Sequence, residues 1–192
     1  MVLKKINTIG YKKSYNEWYT MEIREYFDKL LDVYKSSFDL TVPYNIGGIE
    51  YLGYGHLYSN STKYVLVKSA KLWSANAFEH LIFMESHGDL KEKIDEAKFL
   101  ISEYMEENFV RKGEKYPVPD HMYSFLTVVV LTNDKIDSNI KEEVRRYKFT
   151  KNYLFTIRGY SEGRLVLVNV KEEEIILSKS AQKLEEFFRD SF

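Results

Sequence analysis

The chain contains no cysteine. That absence excludes disulfides, thiolate catalysis, cysteine-ligated zinc sites and iron–sulfur clusters. No apolar run approaches the roughly 20 residues that a membrane span requires. The opening residues, Met1 to Asn7, carry charge but lead into no apolar stretch or small-residue cleavage site, so a secretory signal is not expected. Neither sign of charge dominates: 28 basic and 29 acidic residues leave a formal net charge of −1. Nothing global therefore draws the chain to nucleic acid or an anionic membrane. A cytoplasmic location with no membrane association is expected, and nucleic acid is a disfavoured partner.

Aromatic residues are the abundant class, with 16 Tyr, 12 Phe and 2 Trp. Tyrosine suits thick amphipathic surfaces and interfaces, so a homodimer or another protein partner is expected. The hydrophobic fraction of 44% and charged fraction of 30% are those of a globular protein. At 192 residues the chain can bury about 70% of its unfolded surface without a metal or cross-link. One α+β domain over residues 1–192 is predicted, with residues 1–13 as a loose N-terminal arm.

The patterning centres on Tyr51 to Glu85, read as three antiparallel strands. Asn60-Ser61-Thr62 between aromatic and β-branched runs signals one turn, and Ser74-Ala75-Asn76 signals a second. A turn centred on Ala75 sets Lys71 opposite Glu79 on one face; a two-residue loop sets Lys71 opposite His80 instead. The first register is preferred because it gives a poorly solvated carboxylate a counter-charge.

Elsewhere the periodicities are plainer. Tyr19, Ile23, Tyr26, Phe27, Leu30 and Tyr34 recur at helical spacing behind a Ser14-x-x-Glu17 capping box. Asp89-x-x-Glu92 caps a second helix, with Leu90, Ile94, Ala97, Ile101 and Met105 inward and Gly113 as its stop. Lys115-Tyr-Pro-Val-Pro-Asp120 is a stiff connector, and Phe125 to Leu131 reads as an interior strand. A short helix over 138–147 follows, then a strand from Lys148 to Arg158, a hairpin over Gly159–Gly163, a return to Val170, a short strand at 175–177 and a final helix. The predicted fold is α+β: a mixed sheet of six or seven strands built on an antiparallel meander, in the order α-βββ-α-β-α-ββ(β)-α, with helices packed on the sheet.

No motif fixes a chemistry. The glycines at 47, 48, 53 and 55 precede no strand-to-helix switch, so they are not a phosphate loop. A G-x-S-x-G elbow is absent. The four histidines, His56, His80, His87 and His121, show no metal-ligand spacing, so neither a metal nor another cofactor is expected. The weak catalytic candidates are Lys71, Glu79, His80 and His121. Arg158 and Arg164, at the shoulders of the last hairpin, are candidates for binding an anion.

The order helix, three strands, helix, strand resembles the core of restriction-endonuclease-like nucleases. That resemblance implies an acidic residue on the second strand and an acidic-x-Lys triplet on the third, to hold Mg²⁺ and activate water. Here the second strand offers Lys63, Lys68 and Lys71, and the third reads Glu79-His80-Leu81. The motif is missing. Lys68-x-x-Lys71-Leu72-Trp73, Asn76-x-x-Glu79, Asp120-His121-Met122 and Arg158-Gly159-Tyr160 with Arg164-Leu165 also resemble a family of uncharacterised microbial proteins, over about residues 20–170. That resemblance implies no activity. The expected function is a non-catalytic binding or protein-interaction module; the alternative is a divergent nuclease or other hydrolase with a polar site on the central sheet.

Overall fold

The computed structural model describes the backbone of residues 15–64 and 71–192, and the side chains of residues 22–60 and 76–192. The chain order is α1 (Tyr15–Tyr34), β1 (Asp39–Thr41), β2 (Tyr44–Ile46), β3 (Ile49–Tyr51), β4 (Gly53–Tyr64), β5 (Lys71–Ser86), α2 (Leu90–Phe99), β6 (His121–Thr132), α3 (Ser138–Arg146), β7 (Phe149–Asn152), β8 (Tyr160–Asn169), β9 (Glu174–Leu177) and α4 (Glu185–Arg189). Seven strands form one sheet in the order β1-β4-β5-β6-β8-β7, with β9 also on β8; β2 and β3 make a separate pair. β1, β4 and β5 run antiparallel, whereas β5, β6 and β8 are parallel. β7 pairs with the first half of β8 and β9 with its second half. The α+β class and the mixed sheet stand as predicted.

Both faces of the sheet are covered. Ile82, Met84, Leu126, Val128, Val130, Leu165 and Leu167 pack under α2, its continuation and α3. The alternate residues Leu81, Phe83, Val129, Leu131, Val166 and Val168 pack against α1 and the α4 end. Central strands buried on both sides must be apolar on both parities, as these are. Asp89 caps α2 as expected, accepting from the Glu92 N–H at 2.9 Å. From Leu100 to Arg111 the helix continues at π-helical pitch. Gly163 lets this segment settle onto β8: a Cβ there would lie 2.5 Å from Ile101 Cγ2.

The meander differs from the prediction in its turns. Asn60, Ser61 and Thr62 lie inside β4, and Ser74, Ala75 and Asn76 lie inside β5, paired with one another across the ladder. Two long strands stand where three short ones were expected. Lys71 and Glu79 therefore share one strand and cannot face each other; eight residues of extended chain separate them by about 26 Å. The ladder neighbours of Glu79 are Leu57 and Phe125. The Lys71 side chain, Lys68, the Ser14 capping box and the N-terminal arm lie outside the described residues.

The predicted strand over 148–158 also stops early. It ends at Asn152, and Leu154, Phe155 and Thr156 all adopt left-handed backbone, with φ of 49, 52 and 72°. The loop from Tyr153 to Gly159 is closed by Tyr153 N–H to Gly159 O and Arg158 N–H to Tyr153 O. Phe155 is 95% exposed, so the alternation of Tyr153, Phe155 and Ile157 is not a buried strand face.

Candidate functional site

On the face under the π-helical segment, the amino-terminal half of the sheet carries a row of rings. His56 and His80 are ladder partners on β4 and β5, so their side chains leave the same face side by side. Their rings stack at 4.8 Å between centroids and 17° between planes. Phe78, two residues before His80 and thus on the same face, runs nearly parallel to both histidines. The tilted Phe109 ring, from the end of the π-helical segment, lies 5.1 Å from that of His80. Together with Tyr54, Lys112 and Val118 these side chains line a cavity of about 250 Å³.

His80 gives this slot its chemistry. It is only 5% exposed. Its Nδ1 is 2.7 Å from the Tyr54 hydroxyl, while its Nε2 is buried with no hydrogen-bond partner. Burial pushes the Tyr54 phenol above its ordinary range, so it keeps its proton. A phenol donates better than an imidazole N–H, and an imidazole nitrogen accepts better than a phenol oxygen. The proton therefore lies from Tyr54 to Nδ1, and Nε2 carries the ring's own N–H. Burial first, then the fields of His56 and Lys112, push the imidazole pKa down to about 3. His80 is a neutral donor. His56 is also shifted down, chiefly by burial.

His121 sits on the same face and is equally buried, yet it is fully satisfied. Its Nδ1 is 2.8 Å from the Arg158 carbonyl, which can only accept, so Nδ1 carries the proton. Nε2 then accepts from the Ser124 hydroxyl at 2.8 Å. This has the spacing of a nucleophile and its base, but Ser124 has no solvent exposure and offers a substrate no approach. Beside it, the 1%-exposed Glu106 accepts from Arg111, Lys151 and Tyr153, and Tyr153 and Ser161 share a 2.9 Å bond. Burial alone would raise the Glu106 pKa, but these donors together hold it below the usual carboxylate range.

Glu79 and Arg164 meet on the opposite face. Arg164 donates to Glu79 Oε1 at 3.1 Å and lies 3.5 Å above the Phe125 ring. The partner of Glu79 is thus Arg164 from β8, not Lys71: the guanidinium reaches diagonally over the Phe125 ring of the intervening β6. Burial raises the Glu79 pKa, and the Arg164 charge pulls against that rise. Arg164 is therefore engaged by a carboxylate and stacked on a ring, while Arg158 stands in the loop before β8 and lines a cavity with His121 and Tyr160. Among the described residues no group of three or more His, Asp or Glu side chains is placed to hold a metal.

Ligands of open parallel sheets commonly lie beyond the carboxyl ends of the strands. Here those ends are tied together: Thr132 Oγ1 donates to Ser86 O, Asn169 Nδ2 to the Asp134 carbonyl, and the Lys171 N–H to Asn133 Oδ1. Sequence reasoning picked out His80, Glu79 and His121 but missed Tyr54, Phe78, Phe109 and Lys112 as one wall, and Glu106 with Tyr153 as one cluster. The signal for Glu106 was a glutamate beside the inward Met105, five residues beyond Ile101, a spacing that only the wider pitch turns inward.

The fold is thus a mixed-sheet α+β arrangement with helices on both faces and an aromatic slot under the π-helical segment. A family model described as Domain of unknown function (DUF8052) matches residues 22–190, and the chain belongs to that family. No curated protein and no solved structure matches it. Among the described residues, no helix is long and apolar enough to cross a membrane.

Proposed function

We propose that the protein is a non-catalytic binding module whose ligand is a small planar molecule received in the slot beside His80. The observation that carries this reading is the buried, unpartnered Nε2–H. A buried polar group left without a partner costs about 1–3 kcal/mol, and native structures rarely carry one without a reason. A ligand atom accepting from Nε2 would recover that loss. The parallel ring edges of His56, His80 and Phe78 suit a flat partner. At about 250 Å³ the slot is smaller than the roughly 300–1,000 Å³ pockets of drug-sized ligands, which limits the occupant to one ring system.

Ligand-observed NMR with phenol, indole, benzamide and hypoxanthine as probes tests this. At least one should show saturation transfer that disappears in Val118→Trp, which enlarges a side chain of the slot's lining. Transfer that persists in that variant, or none from any probe, overturns the reading. The hydrolase alternative gains no support from Glu79, which Arg164 engages, or from Ser124, which is closed off. A cytoplasmic setting, a single domain over the whole chain, and pairing with a second copy or another protein belong to the same proposal. The cysteine-free, charge-balanced composition supports the first. Exposed Phe155, Ile157 and Met122 support a partner, which light scattering on the purified chain would weigh.

A further inference from the structure

We infer that the slot is selective for a planar anion, a ring bearing a carboxylate or an equivalent oxyanion. This rests on the slot being a ligand site and names the class it takes. Two observations define the class. The buried Nε2–H of His80 can only donate, so the atom that meets it must accept. Lys112, at the left-handed residue that ends the π-helical segment, is part of the slot's lining. A donor and an ammonium among the lining groups, beside a set of rings, match a flat molecule whose acceptor oxygens carry negative charge.

The neighbouring groups set the sign. His56 and His80 are both neutral at pH 7, since burial shifts each of them down. Lys112 contributes to both shifts, which places its charge within reach of the slot interior. At His56 the Asp39 carboxylate, from β1, opposes Lys112 and is the stronger of the two, whereas at His80 Lys112 acts beside the burial. At His80 the field of Lys112 disfavours a proton, so a carboxylate entering beside it exchanges water for a donor and a cation. A neutral amide of the same shape gains the hydrogen bond but not the charge.

Benzoate and benzamide are the paired probes, titrated into the full chain and followed by the ring ¹⁵N–¹H signals of His80 and by calorimetry. Benzoate is expected to bind about tenfold more tightly, the equivalent of roughly 1.4 kcal/mol. Lys112→Met should reduce the preference to about twofold by weakening benzoate more than benzamide. His80→Phe should weaken both. Equal affinity of the two probes for the unaltered protein, with His80 signals moving, overturns the anion inference and leaves the slot standing. If neither probe moves His80, the anion inference falls, and the saturation-transfer series with its four probes decides the slot reading on its own. A benzoate preference that survives Lys112→Met also overturns the inference, because the charge then acts from elsewhere.

Discussion

His80 and His121 are buried to the same depth on one face of one sheet, at 5% and 4% exposure, and they are opposites. His121 spends both ring nitrogens on this chain, one on the Arg158 carbonyl and one on Ser124. His80 spends one on Tyr54 and leaves the other without a partner, with its ring in the wall of a cavity. On one side of His121 lies a closed cluster in which Glu106, Tyr153 and Ser161 answer one another, and on another an open cavity bounded by Met122, Arg158 and Tyr160. Around His80 lie rings and a gap. Burial and residue type do not separate the two histidines; the count of satisfied atoms does. The closed cluster holds the fold, and the open slot is available to something else.

The most forceful way to break this contrast is at Glu106. Glu106→Ala takes a buried carboxylate from Arg111, Lys151 and Tyr153 at once. Removing one member of a buried charged group costs about 3–5 kcal/mol, and because Lys151 and Arg111 can reach water we expect the lower end, about 3 kcal/mol, in urea unfolding. A loss under about 1 kcal/mol would show that the cluster does not hold the π-helical segment. The same site sets an acid limit. The folded-state pKa of Glu106 lies below its unfolded value, so its contribution is complete above pH ~4.3 and drains away as pH falls through the folded value. Glu79 works the other way: with a raised folded pKa, its contribution is full at low pH and is lost as pH rises through that value.

His121→Phe comes next. It keeps a ring of similar shape but strands the Ser124 hydroxyl and the Arg158 carbonyl, two buried groups at about 1–3 kcal/mol each before water or relaxation relieves them. About 2 kcal/mol is expected. The matching change His80→Phe should cost less than about 1 kcal/mol, since it also deletes the unpartnered nitrogen and leaves only Tyr54 to find a new acceptor. If the two substitutions cost the same, the distinction drawn between the histidines is wrong. His80→Phe should also change the pH profile. The folded-state pKa of His80, about 3, lies below the 6.5 of the free side chain, so stability is full above that value and erodes as pH falls toward 3. The variant should show a shallower decline across that window.

How much of this could be read from the letters varies by element. The α2 helix and its Asp89 cap were plain, because a side-chain cap is a local interaction between residues three apart. The interior character of β6 was equally plain from its unbroken apolar run. The hairpin turn was misplaced because Asn60, Ser61 and Asn76 look like turn residues, yet they sit where long paired strands tolerate polar side chains, and Tyr58 and Asn60 hydrogen-bond to Asn76 across the ladder. Once the turn moved, the partner of Glu79 moved with it to Arg164, a residue 85 positions away that no local pattern could supply. The slot was harder still. His80 could be named as unusual, but its empty nitrogen depends on where Phe109 and Lys112 land, which the change of helical pitch decides.

The smallest expected effect lies in the loop that serves the closed cluster. Tyr153 must turn inward to reach Glu106 and Ser161, and six residues later Gly159 must lie flat against β6, where a Cβ would come 2.2 Å from the Met122 carbonyl at φ +72°. The chain between these fixed points passes through three consecutive left-handed residues, none of them glycine. Each such residue costs roughly 1–2 kcal/mol. Phe155 buries almost nothing, so Phe155→Gly removes strain without removing packing. Glycine's greater freedom in the unfolded chain takes back about 0.5–1 kcal/mol. The net should be a gain of about 0.5 kcal/mol in urea unfolding, with the Tyr153–Glu106 contact intact. A loss larger than about 1 kcal/mol would mean that the exposed ring, and not the closed cluster behind it, is what holds this loop in place.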